Sequence, residues 1–172
     1  TVKHAGIQAH YCVLDIGCGS GAAVRACLNL LSTGKAIGLD PTPTMIRLAR
    51  EQTHKHPKSK QAEFIEAHAE NMPLNDVSVD LALSINVFHH WSDPHSALQE
   101  IYRVLKPAGQ LIVSAENVAG HFGHGEGLYS DPKAVEDCLS QAGFHVSPTQ
   151  SYQEHNDSLF LIQASKIDTV IK

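Results

Sequence analysis

The hydrophobic positions of this chain follow two periods that alternate along the sequence. Continuous apolar runs such as YCVLDIG (11–17) are typical of strands that are buried on both faces of a sheet. Between these runs, apolar residues recur at helical spacing, for example at Val24, Leu28 and Leu31. The predicted strands cover 11–17, 34–40, 62–68, 78–88 and 109–117, and the predicted helices cover 20–32, 43–56, 93–109 and 130–143.

Local signals mark several helix ends. Thr42 or Thr44 is placed to cap the second helix, and Asp93 is placed to cap the third. Pro107 is expected to end the third helix, and Gly143 is expected to end the fourth.

The order of the elements predicts an α/β fold. Strands that alternate with helices form right-handed crossovers, which give a mostly parallel sheet with helices on both faces. The segments FHVSPTQSYQ (144–153) and SLFLIQASK (158–166) follow the last helix with no helix between them. They are therefore expected to pair as an antiparallel hairpin at the C-terminal end.

Composition narrows the function classes. A chain of 172 residues fits a single domain over 1–172, with no visible boundary. Its net charge of −5 provides no basic field for nucleic acid, and no apolar run reaches the ~20 residues of a membrane span. The four cysteines form no C-x-x-C pair and are expected to be buried thiols, which favours a cytoplasmic location.

Three glycines follow the first strand at every second position. Ligands of open α/β sheets bind beyond the carboxyl ends of the strands. Gly17 permits a tight turn, and Gly19 lets the backbone approach a ligand closely. No G-K-[ST] ends the motif, so it is not a Walker A loop. Gly17-x-Gly19-x-x-Ala22 with Asp40 does satisfy the relaxed dinucleotide fingerprint, so this segment alone indicates only an adenosine-containing ligand.

Asp15 interrupts the first apolar strand with a carboxylate. A buried carboxylate is unfavourable unless it has a partner, so Asp15 is expected to meet N–H groups of the turn or a ligand ammonium. It would repel a pyrophosphate. It would accept the zwitterionic methionine end of S-adenosylmethionine.

Three segments resemble a known family over nearly the whole chain. VLDIGCGSG (13–21), GLDPTPTMIRLAR (38–50) and the block over 67–114 resemble class I S-adenosylmethionine-dependent methyltransferases. The resemblance is to the small-molecule branch that includes the ubiquinone and menaquinone C-methyltransferases. It implies a Rossmann-like, seven-stranded sheet, S-adenosylmethionine as cofactor, and in-line methyl transfer to an unidentified small-molecule acceptor.

The resemblance implies a role for each motif. Asp15 would orient the turn and the ligand ammonium, and Gly17 and Gly19 would pack under the methionine moiety. Asp40 would accept both ribose hydroxyls. The other implied cofactor-binding positions are Cys18 in the turn, Pro41 and Met45 beside the adenine, His68 and Ala69 at the adenine edge, and Asn86 and Val87 at the methionine end.

The chain departs from the family at three places. His68 stands where relatives usually carry an aspartate; a neutral imidazole can accept from the adenine amino group, but an imidazolium cannot. Cofactor affinity should therefore fall as this ring becomes protonated. Ala108 replaces the first residue of the usual glycine pair. Only about ten residues precede the first strand, so the N-terminal lid segment is expected to be short or missing.

Two histidine groups are candidates for chemistry. His89 or His90 could serve as a base if the acceptor must lose a proton, or both could simply cap the turn after the fourth strand. His121, His124 and Glu126 lie in a glycine-rich segment over 117–130 that is expected to be mobile. Their spacing places no two of them on one rigid face, so no metal site is predicted.

Two alternatives to a methyltransferase stay open. One is an NAD(P)-dependent oxidoreductase, which the glycine pattern permits but Asp15 disfavours. The other is a module that binds S-adenosylmethionine without catalysing a reaction.

Overall fold

A computed structural model describes residues 1–118, 121–122, 131–154 and 157–167. The strands are β1 (Cys12–Ile16), β2 (Lys35–Asp40), β3 (Ala62–Glu66), β4 (Val79–Ile85), β5 (Leu105–Val118), β6 (His121–Phe122), β7 (Phe144–Val146), β8 (Gln150–Glu154) and β9 (Asp157–Lys166). The α-helices are α1 (Ala22–Leu30), α2 (Pro43–Thr53), α3 (Pro94–Val104) and α4 (Pro132–Gln141), and short 3₁₀ turns cover Val2–His4, Ser59–Gln61 and Phe88–His90. Most of the segment predicted to be mobile, including His124 and Glu126, lies outside the described residues.

The strands form one mixed sheet, which confirms the predicted fold class. Seven strands follow the order β3-β2-β1-β4-β5-β9-β7, with β6 pairing on β5 and β8 on β9. The pairs among β1 to β5 are parallel, and β9 runs antiparallel to β5, β7 and β8. The order reverses between β1 and β4, so a ligand crevice is expected beyond the carboxyl ends of these two strands.

The C-terminal hairpin forms as predicted, but its first strand is divided. Val146 pairs with Ala164 while Gln150 pairs with Leu161, so the register shifts by one residue between β7 and β8. Pro148 lies in this gap and has no N–H to donate to the ladder. Together with β6, this division gives nine strands within the described ranges, rather than the seven that were predicted.

Both faces of the sheet are covered by helices. On one face, α1 and α2 bury side chains such as Val24, Leu28 and Ile46 against the strands. On the other face, α3 and α4 bury side chains such as Ile101 and Leu139. This double coverage explains why the central strands are continuous apolar runs. No helix in the described part of the chain has the length and apolar character needed to span a membrane.

The end of the third helix differs from the prediction. The helix ends at Val104, because Leu105 has an extended backbone with φ −67° and ψ 137°. Strand β5 therefore begins at Leu105 instead of at residue 109. The N–H of Ser78 donates to the carbonyl of Val104, which draws this segment toward the sheet. Pro107 also disfavours helical geometry at the residue before it. Pro107 therefore indicates that the helix ends in this region, but the helix ends three residues before it.

Candidate functional site

The glycine turn after β1 has left-handed backbone geometry at all three glycines, with φ of +71° at Gly17, +51° at Gly19 and +79° at Gly21. A Cβ at Gly17 would lie 2.3 Å from Cγ2 of Val87, and one at Gly21 would lie 3.0 Å from the ring of Phe64. No described atom lies within 4 Å of the Cβ position at Gly19. Packing therefore requires glycine at the first and third positions, whereas Gly19 leaves open space beside its backbone.

Hydrogen bonds fix this turn to the end of β2. The N–H groups of Gly17 and Cys18 donate to the carbonyl of Leu39 over 2.7 and 3.0 Å. The N–H of Gly19 donates to Oδ2 of Asp40 over 3.0 Å. These donors are directed at β2, so none of the three satisfies Asp15.

Asp15 is a buried carboxylate with an unsatisfied oxygen. The residue is 3% exposed, and its Oδ2 has no hydrogen-bond partner among the described residues. Burial raises the pKa of Asp15 to about 7, and the charge of Asp40 adds to the effect. A buried acceptor without a partner is unfavourable, so this geometry fits a ligand that brings a cationic donor.

Asp40 ends β2 at the same edge of the sheet and is 8% exposed. Its Oδ1 accepts from the N–H of Thr42 over 2.9 Å, while its Oδ2 accepts from Gly19. Thr42 is the residue before α2, as predicted, but its hydroxyl does not cap the helix. A carboxylate has about four acceptor positions, so each oxygen of Asp40 can accept one further hydrogen bond. This pair of oxygens suits a vicinal diol.

A cavity opens beside the turn, with walls from the carboxyl ends of β1 to β4. Of the predicted site residues, those that line it are Gly17, Pro41, His68, Ala69, Val87 and His90. The other lining residues are Ile16, Leu39, Glu70, Trp91 and Ser92. Ile16 and Leu39 could have been found, because each directly precedes a predicted ligand position. Nothing in the sequence marked Glu70 or Ser92.

Seven predicted residues are not among those that line this cavity: Asp15, Gly19, Asp40, His89, Cys18, Met45 and Asn86. Cys18 is buried close to Gly38, and burial raises the pKa of its thiol to about 12, with the charges of Asp15 and Asp40 adding to the effect. Met45 is 38% exposed in the first turn of α2. Asn86 is exposed with a φ of +56°, and its N–H donates to the carbonyl of Ser114. The thiol of Cys18 is therefore protonated, and it donates to the carbonyl of Gly19 in the turn over 3.8 Å.

The histidine pair lies in the 3₁₀ turn after β4. The rings of His89 and His90 lie 4.0 Å apart between centroids. Of the two, His90 lines the cavity, together with His68 and Ala69. Trp91 packs on Phe88 with ring centroids 4.7 Å apart and also lines the cavity, so it takes part in both the core and the site.

Glu70 connects two walls of the cavity. Its Oε1 accepts from the N–H of Ser92 over 3.0 Å, from the hydroxyl of Ser92 over 2.9 Å and from the N–H of Asp93 over 3.2 Å. Burial acts to raise the pKa of Glu70, but the hydrogen bonds outweigh it and hold the pKa below its ordinary value. Asp93 in turn accepts from the N–H groups of His95 and Ser96, which confirms it as the cap of α3.

Within the described ranges, no three His, Cys, Asp or Glu side chains form a group that could hold a metal ion. Of His121, His124 and Glu126, the residues considered as metal ligands from the sequence, His124 and Glu126 lie outside those ranges.

Known proteins resemble this chain in both sequence and structure. A family described as "Methyltransferase domain" matches residues 14–113. The ubiquinone/menaquinone biosynthesis C-methyltransferase UbiE of Pseudoalteromonas translucida is 30% identical over 163 residues, which cover 92% of this chain and 59% of that protein. The corresponding protein of Hahella chejuensis is 32% identical over 114 residues, which cover 66% of this chain and 46% of that protein.

Solved structures show the same fold. A SAM dependent methyltransferase from Aquifex aeolicus has a TM-score of 0.83 at 24% identity, over 96% of this chain and 87% of that chain. The [4+2]-cyclase SpnF has a TM-score of 0.81 at 18% identity, over 96% of this chain and 79% of that chain. A methyltransferase and a cyclase share this fold, so the fold by itself does not determine the reaction.

The extent of the sequence matches establishes the family. The chain spans about half the length of the curated relatives that it matches. The family match covers more than half of the chain, and a relative at 30% identity aligns with 92% of it. The chain therefore belongs to the methyltransferase domain family.

Proposed function

We propose that residues 1–172 act as one S-adenosylmethionine-dependent methyltransferase domain for a small-molecule acceptor. The observation that carries this proposal is the unpartnered Oδ2 of Asp15 beside the glycine turn. A dinucleotide pyrophosphate would be repelled by this carboxylate, which disfavours the oxidoreductase alternative. A ligand ammonium would supply the missing donor.

The residues in and beside the glycine turn fit this cofactor. Asp15 would accept from the ammonium, and the open side of Gly19 would allow the methionine moiety to approach the backbone. Asp40 would accept both ribose hydroxyls through its free acceptor positions. When bound, S-adenosylmethionine supplies a methyl group on a positively charged sulfur that is already activated for displacement.

The other predicted positions would surround the adenine and the methionine end. Pro41 and Ala69 offer apolar surface to the adenine, and His68 would accept from its amino group through a neutral ring nitrogen. Met45 would cover the adenine from α2. Cys18 would contribute through its backbone, and Asn86 and Val87 would lie at the methionine end.

The protein's part in the transfer would be to align the acceptor and to exclude water. If the acceptor must lose a proton, a ring nitrogen of His89 or His90 would take it. The place of His90 in the lining of the cavity supports this role for His90.

A small-molecule acceptor is supported by two observations. The relatives include proteins named for ubiquinone, menaquinone and cycloartenol methylation, which are small molecules. The net charge of −5 gives no basic field for a nucleic acid.

The four cysteines are free thiols, which supports the proposal of a reducing, cytoplasmic location.

The test begins with calorimetry on the purified chain. S-adenosylmethionine and S-adenosylhomocysteine should bind, and NAD should not. Asp40→Ala should weaken binding by at least about tenfold, since hydrogen bonds to a charged group contribute about 1.5–3 kcal/mol. Asp40→Asn, which keeps one acceptor oxygen, should lose less. Binding of NAD alone, or unchanged binding by Asp40→Ala, would contradict the proposal.

A second measurement separates an enzyme from a binding module. The protein is incubated with a metabolite extract and S-adenosylmethionine that carries a tritiated methyl group. Label in a small-molecule fraction supports catalysis. Cofactor binding without any transferred label supports the non-catalytic alternative.

A further inference from the structure

The carboxylate of Glu70 joins two chain segments that are far apart in sequence. Glu70 follows Ala69 on the wall formed after β3, and Ser92 lies 22 residues later on the wall formed after β4. One oxygen, Oε1, accepts all three hydrogen bonds from the second segment. Hydrogen bonds to an ionised acceptor are stronger than neutral ones.

The segment over residues 89–92, which these hydrogen bonds hold, contributes aromatic side chains to the lining of the cavity. Trp91 and His90 directly precede Ser92, and all three residues line the cavity together with Glu70. After Ser92, Asp93 is the cap of α3. The segment over residues 89–92 is therefore fixed at its C-terminal end, by the hydrogen bonds to Glu70 and by the start of α3.

We propose that Glu70 is a positioning residue that holds Trp91 and His90 against the cavity and thereby sets the affinity for the cofactor. This inference rests on the proposed function. Without the three hydrogen bonds, residues 89–92 would sample more conformations in the free protein, and ordering them would oppose binding. Glu70 acts through the segment and does not take part in the transfer.

Two consequences distinguish this role from a general contribution to stability. Trp91 is the only tryptophan of the chain, so its fluorescence reports directly on the segment. A residue that only stabilises the fold would lower the melting temperature and leave the affinity of the remaining folded protein unchanged. A positioning residue changes affinity and the environment of Trp91 together.

The experiment compares three variants with the wild type. Glu70→Ala removes the acceptor, and Glu70→Gln keeps an oxygen that can accept. Asp80→Ala is the control, because Asp80 also accepts a backbone N–H, from Cys12 over 2.7 Å, and pairs with Lys106, but at the amino end of β4, away from the cavity. Acrylamide quenching of Trp91 is measured without ligand, and the Kd of S-adenosylhomocysteine is measured by calorimetry.

Glu70→Ala should raise the quenching of Trp91 and weaken affinity by about tenfold, the ratio that corresponds to the loss of one strong hydrogen bond. Glu70→Gln should stay close to the wild type in both the quenching of Trp91 and the affinity for S-adenosylhomocysteine. Asp80→Ala should change neither the quenching nor the affinity. Wild-type affinity in Glu70→Ala, or an equal loss in Asp80→Ala, overturns the proposal.

Two further outcomes are also decisive. If the wild type binds no S-adenosylhomocysteine, the proposed function fails, whereas the quenching measurement still tests whether Glu70 holds Trp91. If Glu70→Ala does not fold, Ser92→Ala replaces it, because it removes the hydroxyl donor and keeps both N–H donors. That variant should weaken affinity by about threefold, and unchanged affinity with unchanged quenching would overturn the inference.

Discussion

Asp15 shows how one buried residue gives the whole fold a pH dependence. The pKa of its carboxyl is about 7 in the folded protein, because it is buried and lies near Asp40. In the unfolded chain an aspartate has a pKa of about 3.9. At a pH between these two pKa values, the carboxyl of Asp15 is protonated in the folded protein and ionised in the unfolded chain. Stability is therefore highest below the unfolded pKa and falls as pH rises toward about 7.

The isosteric variant Asp15→Asn tests this effect. Between pH 5 and pH 7.5, the wild type should lose stability relative to the variant, by up to about 3 kcal/mol, since one pKa unit corresponds to about 1.4 kcal/mol. Urea unfolding of both proteins at the two pH values measures the difference, and other titrating groups cancel in the comparison. A difference that does not change with pH would show that Asp15 titrates normally.

His68 should contribute one hydrogen bond to cofactor binding. It lines the cavity together with Ala69, where a neutral ring nitrogen would accept from the adenine amino group. His68→Leu removes this acceptor, and His68→Gln keeps an acceptor oxygen. His68→Leu should bind S-adenosylhomocysteine about threefold more weakly than the wild type, which is within the range of one hydrogen bond, and His68→Gln should lose less.

Calorimetry of the variants at one pH checks this prediction. His145→Leu, a change at an exposed histidine on β7, is the matched control and should bind like the wild type. If His68→Leu keeps the wild-type affinity, His68 does not contact the adenine.

At the scale of elements, the loop between β3 and β4 is held in a strained conformation. Val77 has a φ of +54°, which is unfavourable for a β-branched residue. Its N–H donates to the carbonyl of Arg103, whose guanidinium binds the carbonyl of Leu74 and the carboxylate of Asp76. The contacts of Arg103 on α3 thus impose this backbone geometry on the loop.

Val77→Gly should therefore stabilise the protein, although most glycine substitutions destabilise. Relief of strain contributes about 1–3 kcal/mol, and the greater freedom of glycine in the unfolded chain offsets about 0.5–1 kcal/mol of it. The net gain should be about 1 kcal/mol in urea unfolding. Val77→Ala, which keeps a Cβ, should gain little. A loss of stability in Val77→Gly would mean that the side chain of Val77 contributes packing that outweighs the strain.

The sequence predicted the elements better than it predicted their ends or the contacts between them. The buried strands were visible because burial on both faces leaves a continuous apolar run, as in β1. Asp15 and Asp40 could be identified from the sequence, because each is a carboxylate within or at the end of such an apolar run. The hydrogen bonds of Glu70 to Ser92 were not, since they depend on how two distant loops meet in space. Likewise, the pairing of β5 from Leu105 depends on its neighbour β4.

At the scale of the whole molecule, the cleft depends on the reversal of strand order between β1 and β4. The glycine turn, the end of β2 and the segment after β4 meet only when the sheet is complete. A ligand that contacts all three therefore binds the folded state alone. Such a ligand stabilises the protein by an amount that depends on its concentration relative to Kd.

S-adenosylhomocysteine at a free concentration of 100 times its Kd should stabilise the chain by about 2.7 kcal/mol. For a domain of this size, that corresponds to a rise in melting temperature of about 5–10 °C. Scanning calorimetry measures the shift, with NAD at the same concentration as the control ligand. Asp40→Ala at the wild-type ligand concentration should show a smaller rise, because its occupancy is lower. Equal shifts with NAD and S-adenosylhomocysteine would show that the cleft recognises only the adenosine that the two ligands share.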